Sequence, residues 1–295
     1  MRPITAAGLG TAVLGAACVA YGAGVEVRSF RVRRATAPVL PAGQPPMTLL
    51  HVSDLHLTPN QRGKVAWIQS LAELKPDAVV ATGDFLSHVD AVPVVLDALD
   101  PLLERPGMFV FGSNDYYAPR LKNPVRYLMP DRDVRILGET LPWRDLRDGL
   151  AGVGWHDLTN AQATMTINDR SVHVRGVDDP HIRRDRYDEV AGEFDSTADL
   201  ALGVVHAPYR RVLNAMAADG ADLVLAGHTH GGQLAIPGIG ALVTNCDLDR
   251  RRAKGLHRYD DAWLHVSAGV GTSPYAPIRF ACPPEATLIT LCAPG

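Results

Sequence analysis

Lysine is scarce in this chain: four lysines stand beside 25 arginines in 295 residues, and the formal net charge is −3. That balance gives no global positive field, which excludes nucleic-acid binding driven by charge. Cysteine is equally sparse. Cys18, Cys246, Cys282 and Cys292 are widely spaced and form no C-x-x-C pair, so neither a disulfide scaffold nor a structural zinc knuckle is indicated. Internal repeats and low-complexity tracts are absent, so a single folded domain is the simplest layout. With 46% hydrophobic and 21% charged residues, the chain can bury a substantial core, which excludes disorder for most of its length.

Charge is missing from Ile4 to Val25, a run of 22 residues that meets the length of about 20 needed to cross a bilayer core. Seven alanines and five glycines make the run poor in large aliphatics, so its insertion energy would be marginal. The expectation is a retained membrane anchor through residues 4–25; the alternative is a secretory signal cleaved near Ala20-Tyr21-Gly22, giving a secreted protein. Arg28, Arg31, Arg33 and Arg34 follow the run and only Arg2 precedes it, which leans the main domain toward the cytoplasmic face. Residues 1–34 thus read as anchor and basic flank, residues 35–46, with Pro38, Pro41, Pro45 and Pro46, as a stiff linker, and residues 47–295 as the folded domain.

Short apolar runs mark the strands of that domain. Met47 to Val52, Ala78 to Ala81 and Met108 to Phe111 alternate with helical stretches around Val65 to Leu74 and Val92 to Leu103, a β-α-β-α-β opening. Leu150 to Val153, Ala163 to Ile167 and Ser171 to Arg175 read as further strands, the last two joined by the turn Asn168-Asp169-Arg170. Leu200 to Val205, Leu223 to Ala226, Leu264 to Ser267 and Thr287 to Leu291 complete the set. The fold class is α/β with two sheets.

Metal-type ligands follow these strands in a recurring way: Asp54 and His56, Gly83-Asp84, Gly112-Ser113-Asn114-Asp115, His206, and Gly227-His228-Thr229-His230. In an open α/β sheet the carboxyl ends of the strands face one crevice, so residues remote in sequence converge there. Alternation puts Asp54 and His56 on one side of an extended turn, and does the same for His228 and His230. Glycines at 83, 112, 227, 231 and 232 suit tight positive-φ turns. The set suits two-metal hydrolysis, in which a carboxylate bridges two cations and a shared hydroxide attacks phosphorus in line with the leaving group.

In these motifs and their order the chain resembles the calcineurin-like metallophosphoesterase superfamily, whose series is D-x-H, G-D, G-N-H-[D/E], H and G-H-x-H. Gly227 through Gln233, Gly269-Val270-Gly271-Thr272, Arg279-Phe280 and Pro283-Pro284-Glu285 are similar to its membrane-associated bacterial branch. The resemblance implies a four-layer α-β-β-α sandwich preceded by an N-terminal apolar helix. It implies a phosphoesterase acting on a phosphodiester, diphosphate or phosphomonoester, lipid- or nucleotide-linked among the options. Asp54, His56 and His230 would hold the first metal, Asp84 would bridge, and Asn114, His206 and His228 would hold the second. The thiolate-free N/O set fits two divalent ions of Mn, Fe or Zn.

One motif departs from the series. An ungapped match puts Ser113 at the ligand Asn, whereas a shift by one residue puts Asn114 there, and an amide oxygen coordinates a divalent cation better than a neutral hydroxyl. Either way the motif histidine is gone, a group whose role as a positioned acid is typically worth about 10² to 10⁴ in rate. Asp115 or His181 could substitute, or the leaving group could need no proton. Catalytic candidates are therefore Asp84, Asn114, Asp115 and His228. Arg120, Arg126 and His181 are candidates for gripping substrate. The other histidines, His51 and His265 among them, have no partner pattern and read as structural or surface residues. The competing reading, supported by the lost histidine alone, is a metal-binding regulatory or scaffold protein of the same fold.

Overall fold

The structure is a computed structural model that describes residues 3–120 and 137–295, with side chains from residue 13 onward apart from Leu14. Six helices occur among these residues: α1 (Pro3–Gly24), α2 (Arg62–Ser70), α3 (Val92–Leu103), α4 (Ser113–Tyr116), α5 (Trp143–Gly152) and α6 (Arg210–Ala218). The strands are β1 (Arg31–Pro38), β2 (Met47–Val52), β3 (Ala78–Ala81), β4 (Gly107–Phe109), β5 (His156–Asp157), β6 (Ala161–Ile167), β7 (Arg170–Gly176), β8 (Leu200–Val205), β9 (Leu223–Ala226), β10 (Ala235–Ile236), β11 (Gly240–Ala241), β12 (Gly255–Tyr259), β13 (Ala262–Val266) and β14 (Glu285–Cys292).

Two six-stranded sheets face each other, in the orders β1-β14-β2-β3-β4-β5 and β12-β13-β9-β8-β7-β6, with β10 and β11 forming a separate ribbon. The strands that lead to the polar turns, β2, β3 and β4 in one sheet and β8 and β9 in the other, run parallel within their sheets. Period-2 alternation sorts their side chains. Met47, Leu49, Val80, Leu202 and Leu225 enter the apolar layer between the sheets. Leu50, Val52, Val79 and Ala81 turn the other way, toward Ile68, Val95, Leu99 and Leu146 of α2, α3 and α5. On the far side Val205, Val224 and Ala226 pack against Val212, Leu213 and Met216 of α6. The result is helices, sheet, sheet, helix: the four layers implied by the family resemblance.

The hairpin β6–β7 turns at Asn168 and Asp169, both at positive φ, the left-handed pair that a two-residue turn matching the strand twist requires. Leu150 to Val153, expected as a strand, ends helix α5 instead: Leu146 and Leu150 lie four apart on its buried face. The expected basic flank and linker contain an edge strand. Arg31–Pro38 pairs in parallel with β14, with Arg31 to Arg34 exposed, Ala37 buried, and Arg33 Nε 3.3 Å from Glu285 Oε2. Pro38 sits at the strand's end, where a missing N–H interrupts no ladder.

The sequence leads to the expectation of a spanning anchor through residues 4–25. A helix forms over Pro3–Gly24, but among the described residues no helix is long and apolar enough to cross a membrane. Its carboxyl end is tied to the folded domain. The Gly22 carbonyl accepts from Arg279 N at 3.3 Å, Tyr21 meets Phe280 edge-on, and the buried Glu26 carboxylate accepts from Ala281 N and Cys282 N.

Candidate metal centre

The carboxyl ends of β2, β3, β8 and β9 deliver Asp54, His56, Asp84, His206, His228 and His230 to one place. Their backbones carry a mark of this: Asp54, His56, Asp84, His228 and His230 all stand at φ between 45° and 68°. Non-glycine residues seldom occupy this region, and each such residue is held there by its surroundings. The loops after β2 and β3 hold each other, Asp54 N donating to Gly83 O and His56 N to Asp84 O, both at 2.9 Å. Gly83, Gly231 and Gly232 adopt positive φ as the turns require. Gly112 and Gly227 serve by lacking a side chain. A Cβ on Gly112 would lie 2.3 Å from Asp84 Oδ1, and one on Gly227 would lie 1.9 Å from Ser53 Oγ.

Two donor clusters result, Asp54 with His56 and His230, and Asp54 with Asp84 and His206, the ligand atoms of each lying within 4.8 Å of one another. His56 Nε2 and His230 Nε2 are 3.2 Å apart, and His230 Nε2 is 3.5 Å from Asp54 Oδ1. Asp84 Oδ2 stands 3.5 Å from His56 Nε2 and 3.5 Å from His206 Nε2. His206 Nδ1 donates to the Thr82 carbonyl at 2.6 Å, which leaves Nε2, buried and without a hydrogen bond, facing Asp84. An orphaned buried nitrogen facing a carboxylate, in a set of two carboxylates and several imidazoles, fits a divalent cation.

Charge follows from these contacts. Burial pushes the His56 ring down to about 4, and burial, then His56 and Arg279, hold His230 well below the usual histidine range, so both are neutral at pH 7. Burial also opposes ionisation of Asp84, yet His206, His56 and Asn114 outweigh it and hold the carboxyl well below the usual carboxylate range. Burial raises Asp54 to about 6.

Asn114 bonds Asp84 twice, through its backbone N–H to Oδ1 at 2.8 Å and through Nδ2 to Oδ2 at 2.7 Å, leaving its Oδ1 for coordination. The residue that reaches the centre after β4 is thus Asn114. His228 lies beside the clusters: its N–H donates to Asp54, its Nε2 meets Asn245 O at 3.2 Å, and its ring stands 5.3 Å from that of His206. His181 arrives from the loop after β7, its ring 4.4 Å from His228 and its Nδ1 3.1 Å from Tyr209 Oη.

Asp115, the acid candidate, lies within the turns. It is fully buried, and its two oxygens accept from the N–H groups of Gly112, Asp84, Phe85 and Leu86, so it braces the turns that carry Asp84 and Asn114. Arg120 is exposed and bonds the Leu137 carbonyl, while Arg126 lies outside the described residues.

Three further residues face or brace the centre. Asp179 is fully buried, its Oδ2 has no hydrogen bond, and burial, with the Asp84 charge adding to it, raises the carboxyl to about 7. Its position in the loop-like Asp178-Asp179-Pro180-His181 was its only signal in the sequence. Arg279, also fully buried, donates through Nη2 to the carbonyls of Ala268, Gly269 and Gly271 and lies 3.3 Å from His230 Nδ1. Ser87 Oγ lies 3.1 Å from His56 Nδ1, fixing that ring from behind.

Residues 47–232 match the sequence profile of the calcineurin-like phosphoesterases. The chain belongs to that family. Its members are dinuclear metal-dependent enzymes that cleave phosphate esters, and this phosphoesterase is accordingly a hydrolase of that class. The phosphoesterase is 27% identical over 255 residues to the uncharacterized protein YpbG of Bacillus subtilis, covering 85% of this chain and 83% of that one. It is 28% identical over 227 residues to the phosphodiesterase YaeI of Escherichia coli, covering 74% and 72%. Among solved structures, one described as a novel archaeal phosphodiesterase aligns with a TM-score of 0.39 at 13% identity, over 76% of this chain and 84% of that one.

Proposed function

We propose that the chain hydrolyses a phosphodiester or diphosphate at two divalent cations of Mn, Fe or Zn, with Asp54, His56 and His230 holding one and Asn114, His206 and His228 the other. The observation that carries this reading is Asp84 Oδ2, equidistant at 3.5 Å from His56 Nε2 and His206 Nε2, one carboxylate shared by two ligand groups. Bound there, the two cations would supply Lewis acidity to phosphoryl oxygens and a nucleophile from water at neutral pH. The protein's part is to keep Asp84 ionised and His56 and His230 neutral, and to hold every donor in place before substrate arrives. Asn114 anchors Asp84 by two hydrogen bonds. His181, packed on His228 and held by Tyr209, lines the same ligand group. Esters with acidic leaving groups suit a centre that lacks the motif histidine, which favours diesters and diphosphates over alkyl monoesters. Helix α1 leaves Val13, Val19 and Tyr21 exposed and is tied to the segment carrying Arg279, which supports an amphiphilic ester as substrate.

The test is metal-free full-length chain reloaded singly with Mn, Fe or Zn and assayed on an aryl phosphodiester beside the matching monoester. Turnover that depends on metal and prefers the diester is expected. Two metals bound per chain with no turnover on either ester would transfer the protein to the regulatory reading.

A further inference from the structure

Five buried polar groups form an unbroken row behind the centre. Ser53 Oγ donates to Asp54 Oδ2 at 2.6 Å, and Thr82 Oγ1 donates to Ser53 Oγ at 2.7 Å. His51 Nε2 lies 2.9 Å from Thr82 Oγ1, and His51 Nδ1 lies 2.8 Å from His265 Nδ1. His51 belongs to β2 in one sheet and His265 to β13 in the other, so the row crosses the layer between the sheets. Thr82, His51 and His265 are at most 1% exposed.

The direction of every proton follows from the end of the row. An ionised carboxylate only accepts, so the Ser53 proton goes to Asp54. Having spent its one proton, Ser53 accepts from Thr82. Thr82, whose proton then points at Ser53, accepts from His51 Nε2–H. A neutral imidazole protonated at Nε2 has a bare Nδ1, so His265 must be the donor across the 2.8 Å gap. The opposite tautomer of His51 would set two lone pairs against each other at 2.9 Å from Thr82.

We propose that Thr82, with His51 and His265 behind it, is a positioning residue for the metal centre, orienting Asp54 through a one-way hydrogen-bond row. Oδ2 of Asp54 is engaged by Ser53, the His228 N–H is shared between both oxygens, and Oδ1 lies 3.5 Å from His230 Nε2, within the donor cluster. Thr82 acts on the other ligand group as well, since its carbonyl receives His206 Nδ1–H. Apolar residues would fill the same space without the desolvation cost of burying two imidazoles. What the polar row adds is a donor aimed at one oxygen of a ligand, the kind of outer support whose loss typically lowers metal affinity by about 10- to 100-fold. The proposal rests on Asp54 being a ligand, as in the function proposed above.

Two measurements test it, neither of which reads hydrolysis. Nitrogen-15 NMR of the zinc-loaded full chain, with signals assigned by comparison with His265→Gln, reports the tautomers directly. The expected result is His51 protonated at Nε2 and His265 at Nδ1; His51 protonated at Nδ1 overturns the row. Zinc titration of Thr82→Val and Thr82→Ser then separates positioning from packing. The valine variant is expected to bind zinc about 10-fold more weakly or worse, with the serine variant within about twofold of the parent. Equal affinity in valine variant and parent, or a loss in the serine variant as large as in the valine one, overturns the positioning role. Because the tautomers are read in the wild-type chain, a Thr82 variant that fails to fold leaves the first measurement decisive. Failure of the chain to hydrolyse any ester would count against the proposed function and leave both readouts standing.

Discussion

On the side of Asp54, His56 and His230, each ligand is held from behind: Ser53 on Asp54, Ser87 on His56, Arg279 against His230. Across Asp84 the support is uneven. His206 is fixed at Nδ1 by the Thr82 carbonyl, yet its Nε2 and the nearby Asp179 Oδ2 are buried without hydrogen bonds. Buried polar atoms are left unpaired in a native fold only where something else supplies the partner. The first side is therefore the more fully hydrogen-bonded ligand group, and the second keeps two buried polar atoms without a partner among the described residues. The difference teaches that preorganisation in this centre is concentrated where the loops after β2 and β3 meet the β9 turn.

The comparison breaks most completely at Asp84, the residue both sides share. Asp84→Asn is expected to reduce metal-dependent hydrolysis of an aryl phosphodiester by at least about 10³-fold, because a bound cation contributes several kcal/mol to phosphoryl transfer. Initial rates at saturating manganese provide the check. Arg279→Met breaks the first side alone. Three carbonyls, those of Ala268, Gly271 and Cys282, lose their buried donor, and at about 1 kcal/mol or more for each unpaired group the unfolding free energy should fall by about 3 kcal/mol in urea titrations. A similar loss from a variant at His206 would erase the asymmetry.

Acid sharpens the comparison more gently. Burial pushes the His265 ring down to about 3, whereas an unfolded histidine titrates near 6.5. Between those values the unfolded chain binds the additional proton, so the contribution is complete above pH 6.5 and is lost as pH falls toward 3. The slope is about 1.4 kcal/mol per pH unit for such a ring. In metal-free protein, urea midpoints at pH 7, 6 and 5 should fall more steeply in the parent than in His265→Gln.

The ligand strands were legible because each is a short apolar run ended by Asp or His, and parallel sheets bring such ends together without further information. Local pattern misled where partners are distant. Leu150 to Val153 is apolar enough for a strand, but its spacing from Leu146 serves a helix face. Arg31–Pro38 carries three arginines and a proline and becomes a strand only because β14 lies beside it. Asp115 sat in a catalytic motif, and its four backbone donors exist only once two loops have met. His51 and His265 had no partner in sequence because each is the other's partner across 214 residues and two sheets.

The central claim is that Asp84 stands between two cations. Anomalous X-ray scattering from crystals of the manganese-loaded full chain measures this directly. Two peaks about 3.5 to 4 Å apart, one toward His56 and one toward His206, are the expected result. A single peak, or none beside Asp84, would contradict the account.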